Sequence, residues 1–324
     1  MNVLDESWHN TKWSQWILKR QKFDAVVILH SVYSNAPCLY GRLHDEIQKL
    51  SQPKAYFIGN EYKGMPEKMR FCDDLKIALL VTMNPHPAAQ QMYRDRLGCS
   101  VTCIPSAGLD SDIFYPQVNW LERPIDLGYR SFVSPLSLGH DERRQIARYF
   151  CENAPDHGLK IDISLEPDSR FPPQKWARFL NQCKGQIGTE AGGDYFDLTD
   201  ETRLKVHFYE KEHPLTSVEE IFRMFFSNLE DPIPVRTISG RHVEAAATKS
   251  LQILFKGYYN GYLKPDIHYI ALEKDFSNFG EAISKFRDKP FCYDLINNAY
   301  RMVNEELTYE RLICEFYNEF VQII

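Results

Sequence analysis

The sequence predicts an α/β protein made of two doubly wound units that face each other across a cleft. Three observations carry this. Short apolar runs of strand length alternate with helix-length amphipathic stretches through the first third of the chain. The alternation breaks at a Pro-flanked linker, residues 116–124. It then restarts at Ile125. Apolar runs separated by helices read as strands buried on both faces of a parallel sheet.

In the first unit, residues 25–29 (Ala-Val-Val-Ile-Leu) form a strand that ends in the polar loop 31–36. Residues 39–50 follow as a helix, and 55–58 as a strand ending at Gly59, Asn60 and Glu61. Residues 77–81 and 101–104 are two further strands, with a helix over 86–97 between them and Pro105 as the stop. In the second unit, 125–129, 160–163, 186–189 and 251–255 read as strands. Helices are expected at 138–150, 175–180, 202–212, 217–226 and 241–248. Ile146 and Phe150 lie one turn apart on the first of these. Phe279, Ile283 and Phe286 mark a later amphipathic helix, and Leu312, Phe316 and Phe320 the last one. The expected domains are therefore 1–118 and 119–306, with residues 307–324 as a terminal helix.

Composition narrows the function. The 324 residues carry a net charge of −6, which argues against nucleic acid as the main partner, because phosphate binding needs a basic face. No apolar run is long enough to span a bilayer. Trp8, Trp13 and Trp16 stand among charged and polar residues, without the apolar core of a signal peptide, so a cytoplasmic placement is expected. These tryptophans are expected to cover the first sheet, with acceptor stacking as the alternative. The eight cysteines are scattered, and Cys99 and Cys103 lack a matching His/Cys pair. Free buried thiols are expected, and no metal site.

Open α/β sheets bind ligands outside the carboxyl ends of their strands. That singles out His30, Glu61, Arg130, Glu190 and the loop before Glu244. The most specific stretch is 238–247, Ile-Ser-Gly-Arg-His-Val-Glu-Ala-Ala-Ala. A polar glycine loop there enters an Ala-rich helix, whose free N–H groups suit an anion such as a diphosphate. Gly240 lets a ligand approach the backbone. Glu244 can accept both hydroxyls of a ribose, or can merely complement the helix dipole. Asp141 to Arg144, at a helix start, reads as a solvated face.

These residues resemble a family. The run Arg241-His242-Val243-Glu244-Ala245-Ala246-Ala247, with Leu263-Lys264-Pro265 and His268-Tyr269-Ile270-Ala271-Leu272, is similar to the C-terminal half of GT-B glycosyltransferases, in the group of spore-maturation-type glycosyl transferases. Lys274 to Asn278 and Leu307 to Glu310 extend the likeness. Ile125 to Arg130, Gly188 to Asp194 and, more loosely, Gly59 to Lys63 carry it upstream.

The resemblance implies two Rossmann-like domains, acceptor in the first and nucleotide-sugar donor in the second, with the terminal helix packing back on the first. Glu244 would hold the ribose and Ser239, Gly240, Arg241 and His242 the phosphates. It implies no cofactor and no divalent metal: a protein cation offsets charge on the leaving diphosphate. Arg130 is the first choice for that cation, with Arg241 and Lys264 in reserve; a surface ion pair is the alternative for Arg130.

Many retaining members carry a second Glu eight positions before the ribose Glu, where this chain has Arg236, so stereochemistry stays open. An inverting transfer needs a base on the acceptor side. His30 fits by location, with Glu61 as its competitor; a structural role is the alternative for His30. Glu190 is expected at the donor sugar's hydroxyls, or as a turn feature. The implied activity is sugar transfer to a glycan, lipid-linked or other hydroxyl acceptor, in cell-surface polysaccharide or glycoconjugate synthesis, with a peripheral place at the inner membrane surface as the alternative to a free cytoplasmic one. A non-catalytic nucleotide-sugar-binding or scaffold protein and a sugar-nucleotide epimerase of the same fold are the alternatives.

Overall fold

A computed structural model describes residues 20, 22–33, 36, 38–105 and 107–324. Trp8, Trp13 and Trp16 lie outside the described residues, so their expected place on the first sheet is not addressed. Two parallel sheets organise the molecule. The first runs β1 (Val26–Ile28), β2 (Lys54–Phe57), β3 (Leu79–Thr82) and β4 (Ser100–Cys103), in that spatial order. The intervening helices are α1 (Gly41–Lys49), α2 (Met65–Leu75) and α3 (Pro87–Leu97).

Strands that add in sequence by right-handed crossovers place all their helices on one face. Alternation along β2 and β3 shows the result. Tyr56, Ile58 and Leu80 pack with Leu43, Ile47, Met69 and Tyr93 of the three helices. Ala55, Leu79 and Val81 point the other way, into a core shared with Leu312, Phe316 and Phe320. The bare face is covered by the last helix of the chain, whose Phe316 lies 4.9 Å from the Phe57 ring.

The second sheet holds β5 (Ile125–Arg130), β6 (Ile161–Ser164), β7 (Cys183–Gly188), β10 (Leu251–Phe255) and β11 (Ile270–Leu272). Its order is β11-β10-β7-β5-β6, all parallel. The chain moves outward from β5 to β6 and then returns to β7 on the other side of β5. Such a reversal opens a crevice at the carboxyl ends of the central strands. Helices α4 (Glu142–Asn153) and α5 (Pro173–Gln182) make these crossovers.

Between β7 and β10 the chain inserts a small antiparallel pair, β8 (Ala191–Gly193) and β9 (Val235–Thr237), with α6 (Glu201–Glu212) and α7 (Val218–Phe225) between them. This insert reaches the first sheet's helices: Asp200 accepts from the Gly64 amide at 2.7 Å, and Phe196 packs 5.1 Å from Tyr93. Helix α8 (Gly240–Ala247) follows β9; α9 (Phe279–Arg287), α10 (Lys289–Glu306) and α11 (Tyr309–Val321) complete the chain.

The expected strands and helices are present, within a few residues at their ends. The helix expected over 138–150 starts instead at Glu142, because Leu136–Leu138 forms a 3-10 turn closed by Gly139 at φ 82°. Helices α2 and α10, strand β11 and the β8–β9 pair were not foreseen. The cysteines are free, as expected; Cys72, Cys183 and Cys292 are buried, while Cys151 and Cys314 are exposed. Among the described residues no helix is long and apolar enough to cross a membrane.

Candidate functional site

A cavity of about 540 Å³ opens at the carboxyl edge of the second sheet, where the strand order reverses. Its wall carries Arg130 from the end of β5, Arg143 from α4, Arg170 from the loop after β6, Trp176 from α5, and Ser239, Gly240, Arg241 and Glu244 from the start of α8. Gly108, Asp110 and Phe114 of the connection between the sheets, with Tyr309 of α11, close the opposite side.

The start of α8 is fixed by its own first turn. Ser239 is extended at φ −120° and ψ 164°. The His242 Nδ1 atom accepts from the Ser239 amide at 3.0 Å and lies 3.1 Å from its hydroxyl oxygen. Burial, and then the charge of Arg241, push the His242 imidazole down to about 3, so it is neutral. The amides of Gly240 and Arg241, the first two of the helix, have no acceptor within it. A Cβ at Gly240 would sit 3.3 Å from Glu244 Oε1, so glycine keeps that carboxylate uncrowded. Glu244 Oε2 accepts from the Trp176 indole at 2.7 Å. Burial raises the Glu244 carboxyl, while the Trp176 hydrogen bond and Arg241 pull it back.

The four guanidinium groups differ in how their charge is matched. Arg130 has its charge matched: it pairs with Asp162 at 2.7 Å, donates to the Asp162 and Tyr129 carbonyls, and lies 4.3 Å over the Phe179 ring, with Nε left without a hydrogen-bond partner among the described residues. Arg241 donates to the Ser131 hydroxyl at 2.8 Å. Arg143 and Arg170 rest against the Phe132 ring, at 4.6 and 5.7 Å. Arg143 Nη1 is buried with no hydrogen-bond partner among the described residues. Arg143, Arg170 and Arg241 make no ion pair with a carboxylate among the described residues. One wall thus holds unmatched positive charge beside the amino end of a helix, which is the arrangement that binds polyanions.

Of the residues singled out from the sequence, Arg130, Ser239, Gly240, Arg241 and Glu244 line this cavity together. His242 lies buried beside it, on an adjoining void of about 30 Å³. The other four do not line it. Glu190 is buried, raised by that burial, and accepts from the Tyr259 amide at 2.7 Å. Lys264 is exposed on the loop before β11. His30 is exposed in a 3-10 turn after β1. Glu61 is enclosed in the first lobe, where it accepts from Thr82 Oγ1 at 2.5 Å, Tyr93 Oη at 2.7 Å and the Met83 amide at 2.8 Å. Burial raises its carboxyl, and those bonds and Lys68 oppose the rise.

Sequence reasoning missed Arg143, Arg170 and Trp176. The expectation of a solvated face over Asp141 to Arg144 is corrected: Asp141 and Glu142 are each 5% exposed, and Arg143 faces the cavity. Glu142 is buried because Arg236 grips it with two bonds, of 2.8 and 2.9 Å, and Lys274 adds a third at 2.7 Å. Arg236 also binds Asp194 at 2.8 Å. The position where many retaining enzymes have a Glu is here the centre of an ion-pair cluster.

No protein-family profile and no curated protein sequence matches the chain. Solved structures do. The architecture is the GT-B fold, two α/β lobes with a cavity at the edge of the second. Sucrose-phosphate synthase from Thermosynechococcus elongatus aligns with a TM-score of 0.52 at 10% identity, over 96% of this chain and 76% of that one. TarM aligns at 0.51 and 9%, over 94% of this chain and 57% of TarM. Anabaena Alr3699/HepE, solved in complex with UDP, aligns at 0.50 and 10%, over 96% and 81%. At such identities the likeness is one of fold.

Proposed function

We propose that this protein is a glycosyltransferase: it holds a nucleotide sugar in the second lobe and transfers the sugar to a hydroxyl of a glycan or other acceptor presented by the first, the lobes dividing near residue 118. The observation that carries the reading is the cavity itself, where three unmatched guanidiniums and the amino end of α8 lie beside the Glu244 carboxylate, with Asp110 on the opposite side. A nucleoside diphosphate has that polarity, with a polyanionic end and a ribose whose hydroxyls need an acceptor.

In this reading the Gly240 and Arg241 amides, with Arg241 and Arg143, take the diphosphate. Glu244, oriented by Trp176, takes the ribose hydroxyls. The acceptor oxygen attacks the anomeric carbon, the bond from that carbon to the phosphate oxygen breaks, and its electron pair leaves on the diphosphate. Guanidiniums and helix amides that already point at those oxygens stabilise the growing charge without a metal. The acceptor's proton passes to a base on the first lobe. His30 is open to solvent, whereas Glu61 is enclosed by three donors, so His30 is the candidate. A UDP-bound structure among those of similar fold supports a nucleotide ligand. The biological setting that fits is cell-surface polysaccharide or glycoconjugate synthesis on the cytoplasmic side.

Thermal-shift titration with UDP, GDP, ADP and their sugar conjugates tests this. A ligand that binds only the folded chain raises the melting temperature, by about 2.7 kcal/mol of stability at a hundredfold excess over Kd. The expected result is a rise with one nucleotide family, followed by nucleoside diphosphate release when acceptor is added. No rise with any member of the panel would end the proposal.

A further inference from the structure

Arg123 is the largest fully enclosed side chain among the described residues, 2% exposed. It makes no ion pair there. Its donors go to oxygens of three segments instead. Nη1 donates to the carbonyls of Leu180 (3.3 Å) and Cys183 (3.0 Å) and to Ser250 Oγ (2.9 Å). Nη2 donates to Thr248 O at 2.7 Å and, with Nε, to Val118 O. Leu180 and Cys183 lie at the carboxyl end of α5, and Thr248 caps that of α8. A cation is favoured at such ends.

These are the two helices whose amino ends build the cavity. There, Trp176 of α5 donates to Glu244 of α8. The pair is thus pinned at both ends, by one indole at the ligand and one guanidinium behind it. Burying a cation is costly, and an apolar side chain of similar size often serves stability as well. A buried guanidinium that bonds to both helices and to the segment joining the sheets therefore points to a task of placement.

We propose that Arg123 is a positioning residue for the cavity: it sets α5 against α8, and so fixes where Trp176 meets Glu244 and where the first amides of α8 point. The ligand part of this claim rests on the nucleotide reading above. The geometry also supplies its test. A second cavity of about 360 Å³, lined by Arg123, Trp120, Lys249 and Tyr293, gives a small cation a way in when the side chain is cut back.

Arg123→Ala and, in case it does not fold, Arg123→Met are compared with the wild type at a temperature where all are folded by near-UV circular dichroism. Nucleoside diphosphate affinity is measured by calorimetry, and exchange of the Trp176 indole N–H by NMR, with millimolar guanidinium chloride or sodium chloride. Both variants should bind about tenfold more weakly and exchange the indole proton faster. Guanidinium, and not sodium, should restore the Ala variant. A merely structural arginine would lower the melting temperature and leave affinity and indole exchange of the folded protein unchanged, and that result overturns the proposal. If the wild type itself binds no nucleotide, the nucleotide reading fails, and unchanged indole exchange still decides against Arg123.

Discussion

After β2 and β3 of the first sheet the polar groups close on one another, whereas after β5 and β9 they are left facing a cavity. At the first edge Glu61 takes three hydrogen bonds, and Lys68 gives two to the carbonyls of Gly59 and Asn60. Neither Glu61 nor Lys68 is left over for a ligand, and of the residues singled out in this lobe only His30 stays open. At the second edge, among the described residues, Glu244 has one hydrogen-bond partner, the Trp176 indole, and three arginines pair with no carboxylate. The two lobes thus treat the polar groups beyond their strands in opposite ways. The difference is whether charge is matched inside the protein, and it locates the ligand site better than strand position does.

Four substitutions sharpen or break this contrast. Arg241→Ala should have the largest effect on binding: loss of a charged hydrogen-bond donor costs about 2–3 kcal/mol, or roughly 30- to 150-fold in nucleoside diphosphate Kd. Its melting temperature should barely move. Glu61→Gln should do the reverse. An amide set among three donors strands at least one of them, at about 1–3 kcal/mol of stability, read in a urea titration with ligand affinity unchanged. Glu244→Ala should weaken nucleoside diphosphates by about tenfold and leave inorganic pyrophosphate unaffected, since only the ribose is lost. Arg130→Ala should change affinity least, by less than about threefold, because its charge is already held by Asp162. A loss at Arg130 as large as at Arg241 would show that matching of charge does not sort these residues.

Much of the architecture was legible. The runs 55–58 and 77–81 are apolar without alternation, as in strands covered on both faces, 251–255 is apolar but for Gln252, and the break at 116–124 stands between the two sheets. The glycine loop before Glu244 and the carboxylate behind it read correctly as part of one surface with Arg130. The α10 helix was equally readable, with Cys292, Leu295, Ile296, Ala299 and Val303 at helical spacing, and was overlooked. Helix α2 starts between Gly64, at φ 66°, and Pro66, residues that punctuate turns as readily as helix starts.

The partners of each charge were not readable. Arg130 and Asp162 meet across two adjacent strands, and Arg143 turns inward because Glu142 beside it is held by Arg236, far along the chain. Such pairings depend on strand order, and nothing local announces them. Trp176 signals its role only once α5 is placed against α8. For the same reason Glu61 read as an open carboxylate: its donors Thr82 and Tyr93 come from the next strand and helix.

A crystal structure with the nucleoside diphosphate that gives the largest thermal shift tests the central claim most directly. The diphosphate should lie about 3 Å from the amides of Gly240 and Arg241 and from the guanidiniums of Arg241 and Arg143, with both ribose hydroxyls on Glu244. A nucleotide bound elsewhere, with Glu244 and the three arginines untouched, would contradict it.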